Sequence, residues 1–339
     1  MMPDSSLYPF SLKPYHTFRT DAWARLLVEA NSEQAIADLA RKHTGSPLLV
    51  LGQGSNVLFR TYVDTPVLVN RIMGKGMERL EGGTIRVWAG AGEPWHDLVV
   101  WTLNRQAYGL ENLSLIPGTV GAAPVQNIGA YGVELNDVFE SLEAIDLTTG
   151  AKHMFSLEDC RFGYRDSVFK KEYKDRYAIT RVFLRLNADP VLCLEYGAIR
   201  ETLAGMGVSQ PTPEDVSAAV IRIRSEKLPD PLVLGNAGSF FKNPEVSGDD
   251  WERIRSEFPN LPRYASEPGR FKIPAGWLIE QCGWKGRRVG KVGCYSYQAL
   301  VLVNYGGATG EEIWSFAESI QDSVWSRFRI LLEPEVRLV

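Results

Sequence analysis

The sequence predicts a protein of mixed helix and sheet, with a small α/β region near its start and a β-rich region after it. An apolar run at 48–51 is typical of a buried parallel strand. It continues directly into a glycine loop at 52–56, and the next apolar strand is predicted at 67–69. From residue 84 strand-forming residues dominate, whereas 311–328 has the spacing of a long amphipathic helix.

Start and stop signals support the individual elements. A strand is predicted at 24–29, and Ser32 is placed to cap a helix that begins at Glu33. Thr212 precedes a helix with acidic residues in its first turn, and two prolines near residue 230 suit a domain boundary. The remaining elements are predicted as helices at 94–105, 249–257 and 275–282 and as strands at 142–147, 178–186 and 299–304.

Composition and charge limit the class of protein. A chain of 339 residues is long enough for two or three domains, and 45% hydrophobic with 23% charged residues is ordinary for a soluble globular protein. The net charge of -4 argues against a nucleic-acid surface or a cationic membrane face. Because the sequence has neither a signal-peptide pattern nor a run long enough to span a bilayer, we expect a cytoplasmic protein.

The cysteines and histidines give no metal signal. The four cysteines form no C-x-x-C pair and share no neighbourhood with the four histidines, so we expect reduced thiols and no metal site. The histidines are also too scattered to support a serine-hydrolase triad.

Two glycine-rich stretches each have two interpretations. The loop at 52–56 is either a turn or a set of backbone N–H donors for an anion. It lacks the third glycine of the dinucleotide fingerprint and the lysine of a Walker loop. The stretch 117–132 contains four glycines and two prolines and has almost no charge. It is either a buried structural loop or backbone that packs against a flat ligand.

Three polar residues stand in contexts that suggest chemistry. Arg165 is either one half of a surface pair with Asp166 or a cation for a carboxylate that gains charge during a reaction. Ser239 follows Gly238 and precedes two phenylalanines, either in a turn before a strand or as a donor of a proton and hydrogen bonds. Glu335 either pairs with an arginine or is a buried acid with a raised pKa.

Taken together, eight stretches of the chain resemble one family, the UDP-N-acetylenolpyruvoylglucosamine reductases (UDP-N-acetylmuramate dehydrogenases) of bacterial peptidoglycan synthesis. The stretches are Thr17-Phe18, 52–56, 116–132, 161–167, 227–231, 235–244, 275–279 and 332–337. Each motif alone is weak, but eight in this order are specific. The loop around Tyr196 resembles that of the long form of the family, in which a tyrosine folds over bound substrate.

The resemblance implies an α+β fold. An FAD-binding fold of the vanillyl-alcohol-oxidase type, made of two α/β subdomains, is joined to a separate α+β substrate-binding domain. The first subdomain is placed at 1–73 with 324–339, the second at 74–226, and the substrate-binding domain at 227–323. We expect a monomer that acts on small molecules and binds neither nucleic acid nor a membrane.

The resemblance also implies the reaction. NADPH reduces FAD, and the reduced flavin passes hydride to the enolpyruvyl ether of UDP-N-acetylglucosamine enolpyruvate. The product, UDP-N-acetylmuramate, serves cell-wall synthesis and thereby cell shape and division. Ser239 resembles the family's proton donor, Arg165 the cation that stabilises the enolate oxygens, and Glu335 its charge and hydrogen-bond partner.

Further residues are assigned to ligands by their positions in the family's motifs. The residues implied for FAD are Gly52, Gln53, Gly54, Ser55, Asn56, Ile116, Pro117, Gly118, Ala122, Ala123, Asn127, Ile128, Tyr131 and Arg224. The residues implied for the nucleotide-sugar substrate are Tyr164, Tyr196, Lys227, Asn243 and Gln298. Ala122 and Ala123 stand where the family often has hydroxyl residues, which removes possible side-chain hydrogen bonds to FAD but leaves the backbone ones.

Two other functions remain as alternatives. One is a different FAD-dependent sugar or alcohol oxidase of the same fold, although the flavin-loop motifs contain no histidine for a covalent flavin link. The other is a non-catalytic nucleotide-sugar binding protein, which would not need Ser239, Arg165 and Glu335 together.

Overall fold

The structure is a computed structural model that describes residues 7, 9–262, 264–265 and 269–339. The chain divides into two compact units. Unit 1 contains the described residues of Met1–Phe10 together with Ala24–Gly54 and Val63–Ser225, and unit 2 contains Ser11–Trp23, Ser55–Tyr62 and Glu226–Val339. The boundary after Ser225 lies next to the start predicted for the substrate-binding domain. The full three-domain division stays a prediction.

The described residues form the following regular elements. The α-helices are α1 Glu33–Lys42, α2 Trp95–Leu103, α3 Leu157–Cys160, α4 Gly197–Gly205, α5 Pro213–Lys227, α6 Gly248–Glu257, α7 Ala275–Gln281 and α8 Gly310–Phe328. The strands are β1 Phe10–Ser11, β2 Trp23–Ala24, β3 Leu27–Ala30, β4 Leu49–Leu51, β5 Val57–Leu58, β6 Tyr62–Val63, β7 Val67–Asn70, β8 Lys75–Arg79, β9 Thr84–Gly90, β10 Gly129–Ala130, β11 Val133–Glu134, β12 Phe139–Asp146, β13 Lys152–Ser156, β14 Tyr177–Asn187, β15 Gly235–Ser239, β16 Glu245–Ser247, β17 Tyr264–Ala265, β18 Arg270–Lys272, β19 Arg288–Val289, β20 Val292–Cys294, β21 Val301–Asn304 and β22 Arg337–Leu338. Short 3-10 helices lie at Lys13–Tyr15, Glu81–Gly83, Glu111–Leu113, Val120–Gln126, Leu135–Asp137 and Val168–Lys170.

Unit 1 begins with a small parallel sheet in the order β3-β7-β4, which confirms the predicted α/β region. Leu27 and Leu49 flank Val67 in register. Helix α1 starts at the predicted cap, where the Ser32 hydroxyl accepts a hydrogen bond from the Ala35 N–H at 3.2 Å. One face of α1 is buried in the core of this region.

The prediction of a single strand at 24–29 is wrong. The chain forms two strands there, β2 and β3. The Arg25 N–H donates to the Val63 carbonyl at 3.0 Å, whereas Leu27 pairs with Val67. Because the hydrogen-bond partner changes between these residues, the ladder is interrupted, and no local residue pattern signals the change.

A five-stranded antiparallel sheet in the order β13-β12-β14-β9-β8 forms the predicted β-rich region of unit 1. Val182 on β14 pairs with Leu142 on β12 and with Ala89 on β9. Helix α2 contributes Trp95 and Leu98 to the core of this sheet. The sheet thus anchors the glycine-rich stretch at 117–132, which packs on the same core.

Helices α4 and α5 complete unit 1 and bury Ile199 against Val220 in a small core of their own. Helix α5 begins where the sequence predicts it, because the Asp215 N–H donates to the Thr212 hydroxyl at 3.2 Å. Helix α4 is an addition to the predicted elements.

Unit 2 is built on an antiparallel sheet in the order β15-β21-β20-β19, and α7 and α8 share its core. Helix α8 starts with a capping box, in which the Glu312 N–H donates to the Thr309 hydroxyl at 3.1 Å and the Thr309 N–H donates to the Glu312 carboxylate at 2.7 Å. Near the chain end β22 pairs in parallel with β5, with Arg337 opposite Val57. Every helix in the described part of the chain is too short or too polar to serve as a membrane span.

Candidate active site

In unit 1, the stretch 117–132 folds into a 3-10 helix, Val120–Gln126, followed by the β10–β11 hairpin. We call this stretch the glycine-rich loop. Gly52, from the first glycine motif, packs directly against it, since a side-chain carbon at this position would overlap the Thr119 hydroxyl. The Gly118 N–H donates to the Gln53 side-chain oxygen at 3.0 Å. The structure therefore joins two motifs that lie far apart in the sequence.

Several backbone N–H groups of the glycine-rich loop already have partners inside unit 1. Those of Val120 and Gly121 donate to backbone carbonyls at 2.9 Å, and that of Ala122 donates to the Thr119 carbonyl at 3.0 Å. These three N–H groups are therefore not available as donors to an anion, and the hypothesis of backbone donors is limited to other N–H groups of the loop. Pro117 and Ala122 are exposed on the loop, and Ile116 is half-buried.

Asn127 holds the loop together from inside. Its side chain is fully buried, and its backbone is left-handed with φ of 43°. The amide donates to the Glu134 carboxylate at 2.8 Å and to the Gly163 carbonyl at 3.2 Å, and its oxygen accepts the Asn136 N–H at 3.0 Å. Asn127 and the buried Ile128 thus shape the surface that the loop presents.

Arg165 lies against the β10–β11 hairpin. Its guanidinium donates to the Gly129 carbonyl and lies 4.0 Å from the Glu134 carboxylate. It also stacks over the ring of Tyr164 at 5.3 Å, and the Tyr164 side chain is exposed. Asp166 pairs with Lys171.

A second guanidinium, that of Arg224, lies within electrostatic range of Arg165. Burial lowers the pKa of Arg224, and Arg165 acts in the same direction, while a hydrogen bond with Tyr131 opposes the change. Burial raises the pKa of Tyr131, and Arg224 partly offsets this. Within the described residues the Nε of Arg224 is buried and has no hydrogen-bond partner. This part of unit 1 therefore has positive charge and a donor that suit an anionic or carbonyl group.

His96 borders the same region and is held in one tautomer. Its Nδ1 accepts the Leu115 N–H at 3.0 Å, so the neutral ring carries its proton on Nε2. Burial lowers the pKa of His96; Asp97 opposes this and Arg224 adds to it. Leu115 has a left-handed backbone with φ of 57°, and the histidine bond supports that conformation.

In unit 2, a β-bulge ends at Ser239. Asn236 pairs with Val303 and Ser239 with Val301, so β15 has one residue more than β21 across this interval. Gly238 supplies the bulge conformation with φ of 68°, and its N–H donates to the Asn236 side-chain oxygen at 2.9 Å. Phe240 and Phe241 are buried, and Ser239 is half-buried.

Glu335 is brought next to this strand. Its N–H donates to the Phe240 carbonyl at 2.8 Å, and its carbonyl accepts from the Asn56 side chain at 3.3 Å. The Arg337 N–H in turn donates to the Asn56 carbonyl at 3.0 Å. The Glu335 side chain is half-buried, and both alternatives considered for it stay predictions. Unit 2 thus places Ser239 and Glu335 on neighbouring backbone segments.

Two of the predicted substrate residues cap backbone groups in unit 2. The Asn243 oxygen accepts the Ala275 N–H at 2.9 Å at the start of α7, and the Gln298 oxygen accepts the Leu300 N–H at 3.3 Å. These bonds fix the orientation of both amides. Lys227 is exposed at the end of α5, and Tyr196 is half exposed just before α4.

Three residues of this region were missed by the sequence analysis: Asn112, His96 and Glu134. Each acts through a partner that is distant in the sequence. The sequence shows only a polar pair, Glu111-Asn112, ahead of the Ile116-Pro117-Gly118 motif, and the structure buries both residues. Within the described residues no cluster of three or more His, Cys, Asp or Glu side chains is arranged to hold a metal ion.

Comparisons with known proteins agree with the fold. Residues 24–154 match an FAD binding domain, and residues 230–339 match the C-terminal domain of UDP-N-acetylenolpyruvoylglucosamine reductase. The predicted α+β fold, with an FAD-binding part and a separate domain, is confirmed.

Close relatives extend over nearly the whole chain. A UDP-N-acetylenolpyruvoylglucosamine reductase of Pseudomonas aeruginosa is 53% identical over 331 residues, covering 97% of each chain. One of Azoarcus sp. is 49% identical over 330 residues and covers 96% of this chain and 95% of its own. The crystal structure of the enzyme from Thermus caldophilus superimposes with a TM-score of 0.67 at 26% identity, covering 97% of both chains. The chain belongs to the UDP-N-acetylenolpyruvoylglucosamine reductase family.

Proposed function

We propose that this protein is an NADPH-dependent flavoenzyme that reduces the enolpyruvyl ether of UDP-N-acetylglucosamine enolpyruvate to UDP-N-acetylmuramate in peptidoglycan precursor synthesis. The observation that carries the proposal is the 53% identity to a named reductase over 97% of both chains, together with the match to an FAD binding domain. In the cell we expect it to act on small molecules, as a cytoplasmic monomer.

The residues of unit 1 fit FAD. The buried Nε of Arg224 has no partner among the described residues, and the guanidinium lies near Tyr131. The first glycine motif is packed on the glycine-rich loop through Gly52 and Gln53. The residues proposed to hold the cofactor are those named from the motifs: in unit 1 they are 52–54, 116–118, 122–123, 127–128, 131 and 224, and in unit 2 they are Ser55 and Asn56. When bound, FAD supplies the hydride chemistry that amino acids lack.

The chain's own residues then handle charge and protons. Addition of hydride to the methylene carbon of the substrate leaves negative charge on the neighbouring carbon, which delocalises into the carboxylate. We assign Arg165 to the carboxylate oxygens, because a guanidinium matches a carboxylate in shape and charge. We assign Ser239 to protonate the carbon, with Glu335 as a charge and hydrogen-bond partner.

The support for Ser239 is the bulge that fixes its direction. Serine is a weak acid in water, so its proton transfer needs a preorganised setting. The buried rings of Phe240 and Phe241 and the Gly238 turn restrict the strand on both sides of the hydroxyl. The neighbouring Glu335 backbone is tied to Phe240. Tyr164, Tyr196, Lys227, Asn243 and Gln298 are proposed to bind and enclose the nucleotide sugar.

An anaerobic titration tests this function. The purified protein is expected to be yellow, to lose its flavin absorbance on addition of NADPH, and to regain it on addition of the enolpyruvyl nucleotide. An oxidase of the same fold would be reoxidised by oxygen but not by the nucleotide. A colourless protein that takes up no FAD would contradict the proposal.

A further inference from the structure

The buried side chain of Asn112 joins two segments of unit 1 that are distant in the sequence. Its relative exposure is 1%, and its amide nitrogen donates to the carbonyls of Tyr131 and Cys193, each at 2.9 Å. An amide nitrogen has two N–H groups, so both are used. Tyr131 belongs to the glycine-rich loop, and Cys193 to the segment 190–196 that leads into α4.

The first acceptor lies in an unusual turn. Tyr131 and Gly132 connect β10 to β11, with φ values of 51° and 84°. Two successive left-handed residues are typical of a type I′ hairpin turn, whose first position normally takes Asn, Asp or Gly. A tyrosine there is disfavoured by its side chain. The hydrogen bond from Asn112 to its carbonyl supports the conformation.

The second acceptor lies beside that turn. The Cys193 sulfur is 3.9 Å from the Tyr131 carbonyl oxygen, and a side-chain carbon added to Gly132 would lie 3.1 Å from the same sulfur. The rings of Tyr131 and Tyr196 meet edge to face, with centroids 5.5 Å apart. The segment 190–196 is therefore held against the turn by the Asn112 hydrogen bonds, by the Cys193 sulfur and by the Tyr131–Tyr196 ring contact.

We infer that Asn112 is a positioning residue. By tying the segment 190–196 to the Tyr131–Gly132 turn, it keeps the Tyr196 ring in the position in which it binds substrate. The inference rests on the proposed function only for the role of Tyr196. The hydrogen bonds of Asn112 to Tyr131 and Cys193 are independent of any substrate. Asn112→Leu removes both hydrogen bonds, because leucine has no N–H group in its side chain. Because leucine and asparagine are similar in size, the substitution leaves no large cavity.

Hydrogen exchange in the FAD-loaded full chain tests the tie. For Asn112→Leu we expect amide exchange in 190–196 and 131–132 to accelerate at least about tenfold, because local opening controls exchange. Asn70→Leu is the matched control, since Asn70 is also buried in unit 1 and donates to the Ile179 carbonyl at 2.7 Å. The control is expected to leave exchange in 190–196 unchanged. Unchanged exchange in Asn112→Leu would overturn the inference.

Substrate affinity tests the role of the tie. In a titration of flavin absorbance with the enolpyruvyl nucleotide, Asn112→Leu is expected to raise Kd about tenfold, while the rate of flavin reduction by NADPH changes less than twofold. In a Tyr196→Ala background the same substitution should have little further effect on Kd, because both act through one ring. Faster exchange with unchanged Kd, or a full additional effect in the Tyr196→Ala background, would overturn the positioning role.

Failure of the proposed function and failure of the variant to fold can both be told apart from failure of the inference. If the wild-type protein does not bind the enolpyruvyl nucleotide, the proposed function fails, while exchange still decides whether the tie exists. If Asn112→Leu does not fold, Asn112→Ser replaces it, because serine keeps one of the two donors. Exchange is then expected to accelerate less in the segment whose hydrogen bond is kept, either 190–196 or 131–132, than in the other segment. Equal exchange to the wild type in both segments would again overturn the inference.

Discussion

The glycine-rich loop of unit 1 and the Ser239 strand of unit 2 are both built on glycines, but they are held in different ways. The Ser239 strand is shaped locally, by a bulge at Gly238 and by two buried rings that follow it. The glycine-rich loop is shaped by bonds between residues far apart in the sequence: Asn112 and Gln53 bind its backbone, and its own Asn127 binds the Gly163 carbonyl and the Asn136 N–H. Structure that is fixed by neighbouring residues can be predicted from the sequence, whereas structure that is fixed by distant side chains cannot.

The largest expected effect on stability is at Asn127. Asn127→Leu would leave the Gly163 carbonyl, the Asn136 N–H and the Glu134 carboxylate without this partner in a partly buried setting. We expect the free energy of unfolding to fall by about 3–5 kcal/mol, since each buried unpaired group costs about 1–3 kcal/mol. Urea unfolding measures this. Asn104→Leu, at an exposed position, should cost far less, and equal losses would show that Asn127 does not hold the loop.

The pH dependence of the free energy of unfolding gives a second comparison of the two units, because each contains a histidine whose pKa is lowered. Burial lowers the pKa of His16 in unit 2 to about 4. Between its usual pKa of 6.5 and about 4, the unfolded chain binds a proton that the folded chain does not, so the folded state loses stability as pH falls. At 1.36 kcal/mol per pKa unit, the loss amounts to about 3 kcal/mol.

The matched variant is His16→Gln, in which this part of the pH dependence should disappear. His96 in unit 1 contributes with the same sign, because its pKa is also lowered by burial. Unfolding free energies measured from pH 7 to pH 4 provide the comparison. Identical slopes for the wild type and His16→Gln would contradict the assignment.

The smallest effect on stability is expected at the bulge. In Gly238→Ala the added carbon meets no atom within 4 Å, so only the left-handed φ of 68° opposes it. We expect a loss of about 1–2 kcal/mol, which is the usual cost of that conformation for an L-residue. Gly205→Ala is the control, because its added carbon also meets nothing within 4 Å and its φ is not positive. That variant should be neutral or slightly more stable, and thermal unfolding separates the two.

Sequence patterns predicted the parts of the fold that depend on neighbours in the chain. The helix starts at Ser32 and Thr212 and the parallel strand before Gly52 are local signals, and the structure confirms them. The motif order also indicated the family and the fold class. The burial of Phe240 and Phe241 agrees with their apolar character.

The remaining features depend on partners that sequence spacing does not reveal. The break between β2 and β3 arises from a change of hydrogen-bond partner at Arg25. Asn112 follows another polar residue, Glu111, and only the folded chain shows that it meets Tyr131 and Cys193. The roles assigned to the catalytic, cofactor and substrate residues stay predictions, and kinetic experiments must decide them.

The central claim is that the bulged strand of unit 2 aims Ser239 to donate the proton. Stopped-flow measurement of the two half-reactions in Ser239→Ala tests it most directly, with Ser319→Ala, an exposed hydroxyl on α8, as the control. We predict near-normal flavin reduction by NADPH and a slowing of reoxidation by the enolpyruvyl nucleotide of about 10²–10⁴-fold, the usual contribution of a general acid. Equal slowing of both half-reactions, or no slowing of reoxidation, would contradict the claim.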